Sequence, residues 1–82
     1  DSMMPTILDG DIVLVDTTQK TPSMADRIWV LTWGGMGMIK RLRGDPSGGL
    51  KLLSDNPSIP PETAYDDEAQ VIGRVVAIIR KV

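Results

Sequence analysis

The sequence predicts an all-β domain, either a small twisted sheet or a partly closed barrel, and three observations lead to that fold class. Short apolar runs rich in β-branched residues recur along the chain, as expected of strands. Turns containing glycine and proline separate these runs. No segment shows the apolar period of an amphipathic helix. With 82 residues the chain makes one domain, residues 1–82, near the lower limit for a single core.

Five strands are predicted, at residues 12–15, 27–33, 36–43, 50–53 and 71–81. The first is apolar on both faces, which indicates a buried central strand. Gly34-Gly35 separates the second and third strands, and two glycines readily supply the positive φ values of a tight hairpin. Pro60-Pro61 ends regular structure after the short fourth strand. The acidic stretch around Asp66 should be solvated.

The third predicted strand carries a lysine on an apolar face. Alternation places Lys40 with Met38 and Leu42, and it turns Arg41 and Arg43 to the opposite face. We therefore expect the lysine to face the interior of the sheet while both arginines face outward.

The hairpin register adds an aromatic neighbour. With Gly34-Gly35 as the loop, Trp29 lies opposite Lys40, so Trp29, Met38 and Leu42 should form an apolar pocket around the amine. A free lysine, with a pKa of about 10.4, is a poor base at neutral pH, but desolvation disfavours the ammonium form. Alternatively, Lys40 snorkels along Trp29 to water.

Composition limits the available chemistry. The chain has no cysteine and no histidine, which excludes disulfides, thiolate nucleophiles, imidazole bases and the usual zinc ligands. Ser2 can act as a nucleophile with Lys40 as its base, since serine/lysine pairs are a known variant of the catalytic triad. Alternatively, Ser2 is only a turn or cap residue, as a serine before a strand often is. We expect neither a metal nor a cofactor.

Charge and hydropathy argue against two classes of partner. The net charge of -2 gives no basic field for nucleic acid. The apolar stretch 71–82 is short for a membrane span and is interrupted by Arg74 and Arg80. No cationic leader is visible, so we expect a cytoplasmic protein. The absence of an initiator methionine suggests a fragment of a longer chain.

Four segments in order along the chain, residues 2–11, 39–42, 54–57 and 71–76, resemble segments of the self-cleaving C-terminal domains of LexA, UmuD and phage repressors. Residues 2–11, a serine-methionine-any-proline motif leading into a glycine-aspartate turn, resemble the nucleophile segment of that family. Residues 39–42 are similar to its lysine segment, and residues 54–57 and 71–76 look like two further segments. Met4 and the Trp33–Met36 hairpin tip depart from the common pattern and suggest a prophage repressor rather than LexA itself.

The resemblance implies a LexA-type C-terminal domain fold, with Ser2 as nucleophile and Lys40 as general base. The backbone amide of Met3 would help to hold the oxyanion. Cleavage would fall at an alanine-glycine or cysteine-glycine bond upstream of Ser2, and neither dipeptide occurs in the chain. The family further implies an upstream helix-turn-helix DNA-binding domain, a RecA filament that promotes cleavage, and a homodimer.

Three alternatives stay open. The chain could be a dimerisation module that does not cleave, a signal-peptidase-like fragment, or a polymerase accessory domain of the UmuD type. A nucleic-acid-binding β-barrel fits the acidic charge poorly. The homodimer is also expected from the sequence, because the terminal strand is apolar on both faces and should have an unpaired edge. We expect Ile72, Val76 and Ile78 near that interface.

Overall fold

The computed structural model describes residues 3–4, 6–23, 25–46, 48–65 and 67–80. The six strands among them form one open antiparallel sheet. Its order is β1-β6-β2-β3-β4-β5. The strands are β1 (Ile12–Asp16), β2 (Arg27–Trp33), β3 (Met36–Asp45), β4 (Gly49–Leu53), β5 (Glu62–Ala64) and β6 (Ala69–Ile79). The all-β class is thus confirmed as a sheet. The barrel alternative is wrong, because β1 and β5 lie at opposite ends of the strand order.

The hairpin between β2 and β3 forms as predicted. Gly34 and Gly35 have φ values of 59° and 80°, which glycine adopts without the steric penalty of a Cβ. Trp33 pairs with Met36, and stepping outward along the ladder pairs Trp29 with Lys40. The register that places Lys40 opposite an indole is therefore confirmed.

The first and last strands exchange the roles expected of them. β1 lies at an edge of the sheet, where Ile12 is 49% and Leu14 48% exposed, so the prediction of a buried central strand is wrong. β6 pairs with β1 on one side and β2 on the other, so the predicted unpaired edge on the terminal strand is wrong too. A strand with apolar residues on both faces can therefore be a buried central strand, or an edge strand whose apolar side chains are exposed. The sequence pattern alone does not distinguish the two.

β6 contains two register shifts. Val30 pairs with Gly73 and Leu31 with Val71, so Ile72 has no partner in β2. Leu14 pairs with Ala77 and Val15 with Val75, so Val76 has no partner in β1. An extra residue of this kind bends a strand and redirects its side chain. Ile72 and Val76 are both exposed.

The sequence did not predict β5. Its three residues follow Pro60-Pro61 and pair with β4, where Leu50 lies opposite Ala64. Three residues are too few for a period of two to be recognised, so only the pairing with β4 identifies this segment as a strand. Glu68 and Asp67 in the following turn are exposed, as expected of the acidic stretch. Asp66 itself lies outside the described residues.

The core lies on one face of the sheet, over strands β2 to β5. Leu31, Leu42 and Leu52 are fully buried, and burying a leucine side chain contributes about 1.5–3 kcal/mol. They join Trp29 and Ala64 in one cluster, against which Trp33, Met38, Leu50, Ala69 and Val71 pack. No helix in the described part of the chain is long and apolar enough to cross a membrane.

Candidate active site

Lys40 lies in the middle of β3 with its side chain in the core face. The residue is 9% exposed. Trp29, its cross-strand partner, is 3% exposed, Leu42 is fully buried, and Met38 packs on the same cluster. The predicted pocket of Trp29, Met38 and Leu42 therefore belongs to the face that carries Lys40.

The amine of Lys40 has a hydroxyl partner. Its Nζ donates a hydrogen bond of 2.9 Å to Oγ of Ser54. Arg41 pairs with Leu53 in the ladder between β3 and β4, and one further step along that register brings Ser54 opposite Lys40. Sequence reasoning marked residues 54–57 only by resemblance. The register across the Gly48 turn would have identified Ser54 as the partner.

Two neighbours of the amine, Ser54 and Trp29, carry no charge. Oγ of Ser54 is neutral, so it accepts a hydrogen bond from Nζ without adding a counter-charge. The indole Nε1 of Trp29 is buried and has no hydrogen-bond partner among the described groups. Because an indole N–H is a donor and has no acceptor to offer, Trp29 supplies apolar surface to this face rather than an acceptor for an ammonium.

The segment that should carry the nucleophile is only partly described. Ser2 lies outside the described residues, so its predicted role as nucleophile stays a prediction. Met3 is 5% exposed, and its carbonyl accepts a hydrogen bond of 2.9 Å from the amide of Ile7. The oxyanion role of the Met3 amide stays a prediction as well.

The loop after Met3 is closed by its own hydrogen bonds. The amide of Leu8 donates to Oδ2 of Asp11 at 2.9 Å, and the amide of Asp11 donates to the carbonyl of Leu8 at 3.1 Å. The side chain of Asp11 is only 3% exposed and pairs with Arg80 at 2.7 Å. The hydrogen bond from Arg80 lowers the pKa of the Asp11 carboxyl, and the amide of Leu8 adds to that effect. A charged aspartate therefore holds the loop against the end of β6.

The opposite face of β3 carries both arginines, as predicted. Arg41 donates from Nε to Oδ1 of Asp55 at 2.6 Å and from Nη2 to Oδ2 at 3.1 Å. Arg43 makes a similar two-point contact with Asp26, at 2.6 and 2.7 Å. Such forked pairs are geometrically specific.

Asp55 also contacts the loop that follows Met3, because its Oδ2 accepts a hydrogen bond from the hydroxyl of Thr6. Burial would raise the pKa of Asp55, but hydrogen bonds from Arg41 and Thr6 and the charge of Arg41 outweigh it and lower the value. The carboxyl is therefore ionised at neutral pH and joins the loop to β3.

Together these contacts place a buried amine, a neutral hydroxyl and an anchored loop in one region of the sheet. A lysine amine that has lost its proton can accept one from a nucleophilic hydroxyl. The arrangement therefore provides one of the two side chains that acyl transfer by a serine and a lysine requires.

Comparisons with known proteins point to one family. A family profile described as Peptidase S24-like matches residues 1–76. An uncharacterized HTH-type transcriptional regulator of Haemophilus influenzae is 37% identical over 81 residues, which cover 94% of this chain and 33% of the relative. Repressor protein CI of Enterobacteria phage phi80 is 33% identical over 75 residues, covering 92% of this chain and 31% of the relative. The chain thus spans about a third of the length of these relatives.

Proposed function

Because the chain belongs to the Peptidase S24-like family, we propose that it is the C-terminal domain of a LexA-like or phage transcriptional repressor that cleaves an upstream peptide bond of its own polypeptide. The observation that carries this proposal is the burial of Lys40, whose Nζ is hydrogen-bonded to the neutral hydroxyl of Ser54. The names of the relatives support the repressor role.

In the proposed reaction, Oγ of Ser2 attacks the carbonyl carbon of the scissile bond while neutral Lys40 takes the hydroxyl proton. The resulting oxyanion is held by backbone amides near Ser2, that of Met3 among them. Lys40 then returns the proton to the leaving amine as the C–N bond breaks. Water hydrolyses the acyl-serine ester, with Lys40 again accepting a proton, and Ser2 is regenerated.

Ser54 has a defined part in this scheme. A neutral amine has two N–H groups and one lone pair, and the lone pair must point at the hydroxyl of Ser2 for proton transfer. The hydrogen bond to Oγ of Ser54 engages one N–H, which limits rotation about the Cε–Nζ bond. We assign Ser54 as a positioning residue for Lys40.

The wider assembly is proposed from the family resemblance. DNA contact would be made by an upstream helix-turn-helix domain, cleavage would be promoted by a RecA filament after DNA damage, and the domain would form a homodimer. Cleavage would separate the DNA-binding domain from the dimerising one and so relieve repression.

The test is cleavage of the complete gene product at alkaline pH, followed by the appearance of two fragments on a denaturing gel. Ser2→Ala and Lys40→Ala should each abolish cleavage, since the dyad acts as a unit. Lys40→Met serves as the better-packed control for the lost side-chain volume, and circular dichroism should confirm that each variant folds. Cleavage at the parental rate in either Ser2→Ala or Lys40→Met would refute the dyad.

A further inference from the structure

Asp55 connects the loop that follows Ser2 to the strand that carries Lys40. We propose that Asp55 is a positioning residue that sets the nucleophile segment against the base through Thr6 and Arg41. The proposal rests on the function proposed above and extends it to a residue that touches neither Ser2 nor Lys40 in the reaction.

The base side of this connection is rigid. Arg41 directly follows Lys40 in β3, so the two residues share a continuous backbone in a ladder paired on both sides. The guanidinium holds both oxygens of Asp55, at 2.6 and 3.1 Å. The side chain of Asp55 is 13% exposed, so little water competes for these hydrogen bonds.

The loop side of the connection is Thr6, four residues after Ser2. The Thr6 hydroxyl donates to Oδ2 of Asp55, the oxygen that Nη2 of Arg41 also contacts. On its other side, the carbonyl of Thr6 accepts a hydrogen bond of 3.0 Å from Arg80. Thr6 is therefore held between Arg80, which follows β6, and Asp55. Of these two contacts, only the one with Asp55 connects Thr6, through Arg41, to β3.

The contacts at this position suit a carboxylate, because both of its oxygens accept hydrogen bonds. A carboxylate offers two acceptor oxygens with about four lone-pair sites, whereas an asparagine amide offers one oxygen and turns two N–H donors toward its neighbours. In Asp55→Asn, the side-chain NH2 group would replace one of the two acceptor oxygens. Either a guanidinium N–H of Arg41 or the Thr6 hydroxyl would then lose its acceptor. A misplacement of about 1 Å at a site of this kind can cost ~100-fold in rate.

The same strand provides a matched control. Asp26 and Arg43 form a second forked ion pair on the same face of β3, two positions from Arg41. Both residues lie outside the loop that follows Met3. Asp26→Asn therefore removes a comparable ion pair without releasing Thr6.

The experiment compares Thr6→Val, Thr6→Ser, Asp55→Asn and Asp26→Asn in the complete gene product. Cleavage rates are measured by fragment appearance, and amide hydrogen exchange is followed across residues 6–11. Thr6→Val, which removes only the hydroxyl, and Asp55→Asn should each slow cleavage by ~10- to 100-fold and speed exchange in the loop. Thr6→Ser should restore most of the rate, and Asp26→Asn should keep it. The double variant Thr6→Val/Asp55→Asn should be no slower than the slower single variant.

Two results would overturn the inference. One is parental cleavage and exchange in Thr6→Val, and the other is equal slowing in Asp26→Asn and Asp55→Asn, which would indicate general loss of stability. If Ser2→Ala and Lys40→Met are inactive, either result would refute the positioning role of Asp55 but not the assignment of Ser2 and Lys40 as the catalytic dyad. Cleavage that persists in Ser2→Ala would instead refute the proposed function.

Discussion

Lys40, the proposed general base, is hydrogen-bonded to Ser54. The Ser54 hydroxyl accepts a hydrogen bond of 2.9 Å from Nζ and adds no charge next to the amine. A carboxylate in its place would favour the charged form. A neutral partner at position 54 is therefore compatible with the proposed reaction, in which Lys40 acts as a neutral amine.

Ser54→Ala should slow cleavage by ~10-fold or more, because general-base catalysis is worth ~100- to 10,000-fold and part of that depends on orientation. Ser54→Thr, which keeps the hydroxyl, should retain more activity than Ser54→Ala. Ser58→Ala is the matched control, since the Ser58 hydroxyl bonds to Asn56 instead. The measurement is the rate of fragment appearance. Equal rates in parental protein and Ser54→Ala would remove Ser54 from the site.

Acid should weaken the fold through Asp16. Hydrogen bonds from Thr18 and Gln19 lower the pKa of Asp16 from 3.8 to about 2. A depressed folded-state pKa stabilises the protein above the unfolded value, and this contribution is lost as pH falls through the folded pKa. The urea midpoint of the parental protein should therefore exceed that of Asp16→Asn near neutral pH, and the gap should close between about pH 4 and about pH 2. A gap that stays constant over this range would contradict the assignment.

The contact between β1 and β6 depends on a glycine. A Cβ at Gly73 would lie 2.7 Å from the carbonyl oxygen of Asp16 and 2.7 Å from Cγ1 of Val15, distances at which backbone must move. The two strands can therefore approach this closely only while residue 73 has no side chain.

Gly73→Ala should lower the free energy of unfolding by about 1–3 kcal/mol, the usual cost of overpacking. Gly37 in β3 provides the control, because a Cβ there would meet nothing within 4 Å. Gly37→Ala should change stability by less than about 0.5 kcal/mol. Both values come from urea unfolding followed by circular dichroism. Equal stability of the two variants would show that β1 does not pack on Gly73 as described.

Elements made from neighbouring residues could be predicted, and elements made from distant ones could not. The β2–β3 hairpin and the burial of Lys40 follow from alternation and a two-residue glycine loop, both local properties. The edge position of β1 depends on β6, more than fifty residues later, and no local pattern encodes that pairing. Ser54 is a different case, because its contact with Lys40 follows from the register across the short turn between β3 and β4, which the sequence analysis did not work out.

The exposed apolar residues of β1 and β6 fit a homodimer. Ile72 is 41% and Val76 52% exposed, each at a register shift that redirects its side chain, whereas Ile78 is half-buried. Ile12 and Leu14 on the neighbouring edge strand are about equally exposed. An edge strand with uncovered apolar side chains invites pairing with a second chain.

If the proposed dimer forms through β1 and β6, Val76→Glu should weaken it and shift sedimentation toward monomer at micromolar concentration, because a carboxylate would be buried in the proposed interface. Met36→Glu is the control. Met36 is 68% exposed at the β2–β3 hairpin tip, away from β1, so its substitution should leave the dimer intact. A parental protein that sediments as a monomer at high concentration would exclude the dimer.

The strand order has a consequence for synthesis on the ribosome. β6 is the last of the described strands to be made, yet it lies between β1 and β2. Until it emerges, β1 has no partner in the sheet and β2 is paired only with β3, so the nascent chain keeps two open edges. Pairings of such large sequence separation also form slowly, since loop closure must precede them. Arg80, which holds the loop after Ser2, arrives later still. The loop that follows Met3 therefore gains its contact with Arg80 only after all six described strands have been made.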